Sequence, residues 1–150
     1  VHCPTSNQKL ACGGTMSYPA MKEAGVDVRL GTDGSASNNS LDLRAEAKAA
    51  SLVQRHDHWD ARILGPEETW DLATKGSQDW VTWDLSDIRM RPFGRDGRRL
   101  LSNLIYSGAE VLDVFVEGEA VRRDGRTLTL DEDMVAEELE GSVAEYYRDV

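Results

Sequence analysis

The sequence predicts an α/β protein whose C-terminal part is rich in β-structure. Two short extended segments near the N-terminus are each followed by a segment with helical spacing of apolar residues. Strands and helices that alternate over such short distances indicate parallel βα units. Beyond about residue 78 this pattern gives way to short β-rich runs and turn signals. With 150 residues, the chain is long enough to bury a hydrophobic core.

The first predicted elements are a strand, a helix and a second strand. Residues 1–3 are interpreted as the end of a strand that Pro4 stops. Residues 16–24 have apolar side chains at helical spacing, and Gly25 stands where a C-terminal cap belongs. Apolar and other residues then alternate over 26–30, which predicts a strand.

Two helices are predicted next. An alanine-rich helix over residues 41–54 has Asn39 or Ser40 as its expected N-cap, and Asp42 complements its dipole. A second helix is expected over 65–76, since proline occupies its first position, acidic residues follow and glycine ends it.

The β-rich part begins after Gln78. A strand is predicted over residues 80–85. It is followed by a basic loop over 88–99 and by a short turn of helix over 100–106. A meander is then predicted, with strands over 111–116, 119–122 and 126–130.

The end of the chain carries two clear local signals. Asp124-Gly125 is typical of a tight hairpin turn. Asp131 is the expected cap of a final helix. One face of that helix is apolar and comprises Val135, Leu139, Val143 and Tyr146.

Charge and cysteine content limit the function classes. Acidic residues outnumber basic ones by 27 to 17, giving a net charge of −10, which argues against a nucleic-acid partner. No apolar run approaches the roughly 20 residues of a membrane-spanning helix, and no signal-peptide pattern opens the sequence. Only two cysteines occur, Cys3 and Cys12, without metal-site spacing. We expect a soluble cytoplasmic protein with reduced thiols.

The basic residues are unusually biased towards arginine. Thirteen arginines stand against four lysines, which are Lys9, Lys22, Lys48 and Lys75. An acidic surface with few lysines is typical of proteins that work at high salt, where screening reduces self-repulsion. A halophilic origin and a merely acidic mesophilic protein are both compatible with this pattern.

The most informative loop follows the second predicted strand and contains Asp33 between Thr32 and Gly34. Chemistry in α/β folds is placed at the carboxyl ends of parallel strands. A carboxylate there can bind a metal ion or accept a proton. The alternative is that Asp33 and Ser35 only form a turn and cap a helix.

The first predicted strand also ends in polar residues. His2 can serve as a ligand, a base or a hydrogen-bonded structural residue, while Ser6 and Asn7 can orient a substrate or shape the loop. His56 and His58 form an HxH pair, which binds metal when it lies on a strand. Here the pair follows a predicted helix, so a solvated helix end is favoured.

Several of these segments together resemble the amidohydrolase superfamily, in its branch of methylthioadenosine/S-adenosylhomocysteine deaminases and chlorohydrolases. The resemblance rests on His2-Cys3-Pro4-Thr5-Ser6-Asn7, on the loop from Gly31 to Asn39, and on the helix at Pro66-Glu67-Glu68. It extends to Asp113–Gly118 and to Arg123-Asp124-Gly125-Arg126, which look like the small β-sandwich of that branch.

The resemblance implies a metal-dependent (β/α)8 barrel with a small β-sandwich domain. Residues 1–78 would be its last two βα units and the following helix, 79–130 a sandwich portion, and 131–150 a C-terminal helix. Asp33 would be the eighth-strand metal ligand and a proton acceptor. His2, Ser6, Asn7, Ser35 and Asn38 would be substrate-loop residues. The cofactor would be one divalent metal ion, zinc or else iron.

The implied activity is hydrolytic deamination of an adenosine-like nucleoside or related N-heterocycle, with a homo-oligomer as a possible assembly. A complete barrel takes about 250 residues, so we expect the chain to be part of a longer protein. A single Asp is too few ligands for catalytic zinc, and the chain alone is expected to be inactive. The alternatives are a chlorohydrolase or alkylaminohydrolase on a triazine, a purine-base deaminase, and a non-catalytic barrel fragment that acts with a partner chain.

Overall fold

The computed structural model describes residues 1–148 as two compact units. The first unit comprises Val1–Gly76 and Ser86–Ala109, and the second begins with Ser77–Leu85 and continues from Glu110. The assignment of residues 1–78, 79–130 and 131–150 to a barrel part, a sandwich portion and a C-terminal helix stays a prediction. The structure groups 86–109 with the N-terminal residues, whereas the sequence analysis placed them in the β-rich part.

The first unit is predominantly helical. It contains a 3-10 turn at Ile88–Met90 and six α-helices. These helices are α1 (Pro4–Lys9), α2 (Tyr18–Glu23), α3 (Ser35–Asn38), α4 (Leu43–His58), α5 (Pro66–Thr74) and α6 (Gly97–Ser107). Helix α1 was not predicted, because Pro4 was interpreted as a strand stop, whereas proline also suits the first position of a helix.

The two predicted N-terminal strands are reduced to a parallel bridge between His2 and Leu30. The N–H of His2 donates to the carbonyl of Arg29 at 2.7 Å, and the N–H of Gly31 donates to the carbonyl of His2 at 3.0 Å. A longer strand needs a paired ladder on its edges. Within residues 1–148, the backbone pairing at Leu30 consists of this bridge and of a hydrogen bond from its N–H to the carbonyl of Leu72 at 2.9 Å.

Helix α4 is the central helix of this unit. Its N-cap is Asp42, whose side chain accepts hydrogen bonds from the N–H groups of Arg44 and Ala45. The prediction of Asn39 or Ser40 as cap was therefore wrong. Asn39 has a left-handed backbone with φ +68° and closes α3 instead. The buried core lies along α4 and consists of Tyr18, Val28, Leu30, Ala47, Ala50, Leu64 and Ile105.

The segment 88–99 is not the continuous loop that was predicted. It contains the 3-10 turn, with Met90 fully buried, and the first residues of α6. Asp96 caps α6 by accepting from the N–H of Arg98. The arginines in this segment favoured a basic loop in the sequence analysis. An Asp before an apolar periodic run is, however, also a helix-start signal.

The second unit contains one antiparallel sheet in the order β1 (Trp80–Trp83), β2 (Val111–Val116), β3 (Glu119–Arg123) and β4 (Arg126–Thr127). Asp124 and Gly125 have positive φ angles and form the predicted hairpin turn. The last strand is shorter than the predicted 126–130. Within residues 1–148 this is a single sheet, so the expected sandwich is not confirmed.

The chain ends in α7 (Glu132–Tyr146), which Asp131 caps as predicted. Its apolar face is exposed in this structure, since Leu139 and Tyr146 are 62% and 67% accessible. Within residues 1–148, none of the helices combines the length and apolar character that crossing a membrane requires.

Candidate active site

The carboxylate of Asp33 lies where the segment after Leu30 turns into α3. Its backbone is left-handed, with φ +59°, a conformation that the short polar side chain of Asp tolerates. The hydroxyls of Ser6 and Ser37 both donate to the same oxygen, Oδ2, at 2.7 and 2.8 Å. These two serines come from different short helices, α1 and α3, so the carboxylate is oriented from two sides.

Hydrogen bonding keeps Asp33 ionised. The bonds from Ser6, from Ser37 and from the backbone N–H of Gly34 hold the pKa of its carboxyl below the ordinary value of 3.8. The side chain is exposed, so desolvation opposes this shift only weakly. The residue presents an oriented anion of the kind that binds a hard or borderline divalent cation.

A buried carboxylate that the sequence analysis missed lies beside this loop. Glu46 of α4 is 1% exposed. Its Oε1 accepts a hydrogen bond from Asn38 Nδ2 at 2.7 Å, and its Oε2 accepts one from the N–H of Thr5 at 3.1 Å. The spacing of Glu46 with Ala50 and Gln54 places it on the buried face of α4, and this helical position was the available signal.

His2 is buried on the same parallel bridge. It is 7% exposed, and its Nε2 atom has no hydrogen-bond partner. Burial lowers the pKa of its imidazole below 6.5, although the charge of Glu46 opposes the shift. The ring is therefore neutral at pH 7. It lines a cavity of about 360 Å³ together with Asn7, Gln8 and Thr15.

The predicted substrate-loop residues differ in their surroundings. Ser6 is buried and donates to Asp33, and Asn38 is buried and donates to the carbonyl of Thr32 at 2.7 Å as well as to Glu46. Asn7 and Ser35 are exposed. The structure thus brings Ser6 to Asp33 and adds Ser37, which was not predicted.

The HxH pair lies in the last turn of α4, as the helix-end interpretation predicts. His58 Nε2 is 3.4 Å from Ser17 Oγ, and His56 stacks against Trp59. In the part of the chain that the structure describes, no group of three or more His, Cys, Asp and Glu side chains is arranged to hold a metal ion. Within these described residues, Asp33 is therefore a single carboxylate outside any such ligand group.

Comparison with known proteins decides the family. Residues 1–88 match the family described as the amidohydrolase family. The chain belongs to this family. The same residues contain Asp33, both of its serine donors and Glu46.

Two relatives indicate the branch of the amidohydrolases. The chain is 37% identical over 142 residues to 5-methylthioadenosine/S-adenosylhomocysteine deaminase 1 of Archaeoglobus fulgidus, covering 83% of this chain and 33% of that protein. It is 36% identical over 153 residues to the 5-methylthioadenosine/S-adenosylhomocysteine deaminase of Bacillus thuringiensis (strain Al Hakam), covering 89% and 34% respectively. This amidohydrolase chain thus spans about a third of the length of these relatives.

Solved structures agree with the family assignment. An adenosine deaminase from Xanthomonas campestris with bound zinc matches at a TM-score of 0.86 and 29% identity, over 99% of this chain and 37% of that one. An amidohydrolase from an environmental sample of the Sargasso Sea matches at 0.69 and 24% identity, over 99% and 36%, which shows the fold alone. The α/β fold class of this amidohydrolase is thereby confirmed.

Proposed function

We propose that the protein containing this chain is a metal-dependent aminohydrolase that deaminates an adenosine-like nucleoside of the methylthioadenosine/S-adenosylhomocysteine type. The observation that carries the proposal is the carboxylate of Asp33, which Ser6 and Ser37 orient at the end of a parallel bridge. Relatives named as such deaminases, at 36–37% identity, support the substrate class.

Asp33 is assigned two tasks in this reaction. Its ionised carboxylate is one ligand of a divalent ion, for which we favour zinc, and it accepts a proton from the attacking water. The chemistry that such an ion supplies when bound is Lewis-acid activation of water. Overall, a C–O bond forms at the ring carbon, the C–N bond breaks, and the amine leaves as ammonia after gaining a proton. Ser6 and Ser37 keep the carboxylate deprotonated and fixed in orientation.

The remaining machinery is proposed to lie elsewhere in the whole protein. A catalytic zinc site usually has three protein ligands, and Asp33 supplies one. We assign residues 1–78 to the last two βα units of a (β/α)8 barrel, 79–130 to a small β-sandwich and 131–150 to a C-terminal helix. The parallel pairing of His2 with Leu30 supports adjacent barrel strands. Exposed Asn7 and Ser35 are the loop residues most accessible to substrate.

The test uses the protein expressed from its complete gene. Intact mass and metal content are measured on one sample, and ammonia release is followed with methylthioadenosine, S-adenosylhomocysteine, adenosine and a chlorinated triazine. We expect a mass well above 16.6 kDa, about one metal ion per chain, as befits a mononuclear site, and ammonia from the nucleosides. Release of chloride from the triazine instead would favour the chlorohydrolase alternative.

Asp33→Ala provides the residue-level test. We expect this substitution to abolish deamination and to lower metal content, because it removes a metal ligand and a proton acceptor at the same time. Asp60→Ala is the matched control, since Asp60 is also an oriented surface carboxylate but pairs with Arg62 at 2.8 Å. Full activity in Asp33→Ala, or a protein of 16.6 kDa without metal, would contradict the proposal.

A further inference from the structure

Glu46 connects the two loops that orient Asp33. One of its oxygens accepts from the backbone N–H of Thr5, at the start of α1, and the other accepts from Asn38, at the end of α3. The two partners are 33 residues apart in sequence. A single side chain on α4 thus bridges the loop after His2 and the loop after Leu30.

The positions of these partners are what give Glu46 a role at the site. Thr5 immediately precedes Ser6, and Asn38 immediately follows Ser37. Ser6 and Ser37 are the two hydroxyl donors to Asp33 Oδ2. Each oxygen of Glu46 therefore accepts a hydrogen bond from a residue that is adjacent in sequence to one of these serines.

Asn38 adds a third connection. The same Nδ2 atom that donates to Glu46 also donates to the carbonyl of Thr32, the residue before Asp33. The backbone on the N-terminal side of Asp33 is therefore fixed by the same cluster. A loop that departs from its geometry by about 1 Å can lose catalysis on the order of 100-fold.

We propose that Glu46 is a positioning residue that aligns Ser6, Ser37 and through them Asp33 for metal binding and proton transfer. This inference rests on the proposed function of Asp33. A buried carboxylate is costly unless its oxygens are hydrogen bonded, and both oxygens of Glu46 are. Glu46 also lies in the first turn of α4, where a negative charge interacts favourably with the helix dipole.

The experiment compares Glu46→Gln with a matched variant on the same helix. The glutamine retains the shape of Glu46, but its NH2 group cannot accept the second hydrogen bond. Gln54 is the control because it is also fully buried on α4. Its side chain accepts a hydrogen bond from the N–H of Tyr18 at 3.0 Å and donates one to the carbonyl of Met16. Gln54→Met removes both of these hydrogen bonds, one more than Glu46→Gln removes, without touching Asp33.

Metal affinity and turnover are measured on the protein from the complete gene, with folding followed by thermal unfolding. For Glu46→Gln we expect a roughly 10- to 100-fold loss of zinc affinity in competition with a chelator. We expect kcat to fall by a similar factor, about 10- to 100-fold, with KM changed little, since the groups that hold the metal are misaligned. Gln54→Met is expected to lower the unfolding temperature while zinc affinity and kcat stay at the wild-type level.

Failure of the inference is distinct from failure of the proposed function. A wild-type protein that has neither bound metal nor deaminase activity would contradict the proposed function itself. An active wild type, with a folded Glu46→Gln variant equal to it in zinc affinity and kcat, would overturn the positioning role alone. Equal losses in Glu46→Gln and Gln54→Met would overturn it too.

A second variant covers the case in which Glu46→Gln does not fold. Glu46→Asp keeps the buried charge but is one methylene shorter, so it cannot reach both loops at once. A folded Glu46→Asp with weakened zinc binding would support the proposal. If neither variant folds while Gln54→Met does, Glu46 is a structural residue only and the proposal is wrong.

Discussion

Ser6 Oγ lies 2.7 Å from Asp33 Oδ2, although 27 residues separate the two in sequence. This contact exists because the parallel pairing of His2 with Leu30 brings the two segment ends to one edge. Ser6 is buried while Asp33 is exposed, so the hydroxyl has a fixed position from which to orient the carboxylate. The candidate site therefore depends on the parallel bridge between His2 and Leu30.

Removal of the serine hydroxyls is expected to weaken the metal site. Ser6→Ala should lower metal affinity about 10-fold, because partners that orient a metal ligand typically contribute 10- to 100-fold. Ser37→Ala should have a smaller effect, since Ser37 is more exposed and also bonds the carbonyl of Gly34. The measurement is metal retention against increasing chelator concentration.

The control for the serine variants is Ser142→Ala, whose hydroxyl donates to the carbonyl of Glu138 within α7. It should retain metal as the wild type does. If Ser6→Ala and Ser37→Ala also retain metal fully, both hydroxyls shape the loop without acting on Asp33, and the turn interpretation is favoured.

Much of the local structure follows from short sequence signals. Asp131 and Pro66 begin helices in the structure as predicted, and Asp124-Gly125 makes the predicted turn. Each signal acts within a few residues, through a side-chain cap, a fixed φ or a left-handed backbone. Such features do not depend on what the rest of the chain does.

The features that failed depend on tertiary contacts. Glu46 was not singled out from the sequence, because its partners Thr5 and Asn38 approach it only after two loops fold onto α4. The sequence predicted an apolar face on α7, and in this structure Leu139 on that face is 62% exposed. Local periodicity indicates which side chains share a face, and it does not identify what that face contacts.

The start of α4 provides a stability prediction. Asp42 accepts hydrogen bonds from the N–H groups of Arg44 and Ala45, at 2.8 and 3.1 Å. Asp42→Ala should lower the free energy of unfolding by about 1 kcal/mol, because two first-turn donors lose their acceptor. Asp42→Asn retains a capping oxygen and should lose much less. Urea unfolding of both variants measures the difference.

A result in which both Asp42 variants are equally destabilised would mean that the ion pair with Arg44, at 2.8 Å, matters more than the cap. Wild-type stability in Asp42→Ala would instead place the helix start elsewhere. Because Glu46 lies one turn into this helix, fraying of α4 should also reduce metal affinity slightly.

Glu68 predicts a pH dependence of stability. Burial acts to raise the pKa of its carboxyl, but the hydrogen bonds from Lys22 and Tyr18 outweigh burial and leave the pKa below its ordinary value of 4.5. Since the folded value is lower than the unfolded one, the stabilisation is fully present above pH 4.5 and is lost as pH falls through the lowered pKa.

Glu68→Gln is the variant that measures this contribution. Lys22 is largely exposed, so screening limits the expected loss at pH 7 to about 0.5–1 kcal/mol. The difference in unfolding free energy between wild type and variant should shrink as pH falls below 4.5 and should approach zero once the carboxylate is protonated in both the folded and the unfolded state. A difference that stays constant from pH 7 to pH 3 would show that packing rather than charge is responsible.

The charge balance predicts that salt stabilises the protein. The net charge of −10 produces repulsion that acts over the Debye length, which is about 10 Å at 0.1 M salt and about 3 Å at 1 M. Several arginines pair with an Asp two residues earlier at short range, as Arg29 with Asp27 at 2.9 Å and Arg89 with Asp87 at 2.6 Å. Because these distances are within the shorter Debye length, screening removes repulsion more than it removes these attractions.

We therefore expect the unfolding temperature to rise by several degrees between 0.1 and 1 M KCl, since a gain of about 1 kcal/mol shifts Tm by roughly 2–8 °C. Sucrose at matched osmolality is the control, because it stabilises by exclusion from the surface without screening charge. A gain with KCl well beyond that with sucrose identifies charge screening as the cause. An unfolding temperature that falls with KCl would mean that the short arginine–aspartate pairs contribute more than the excess acidic charge costs.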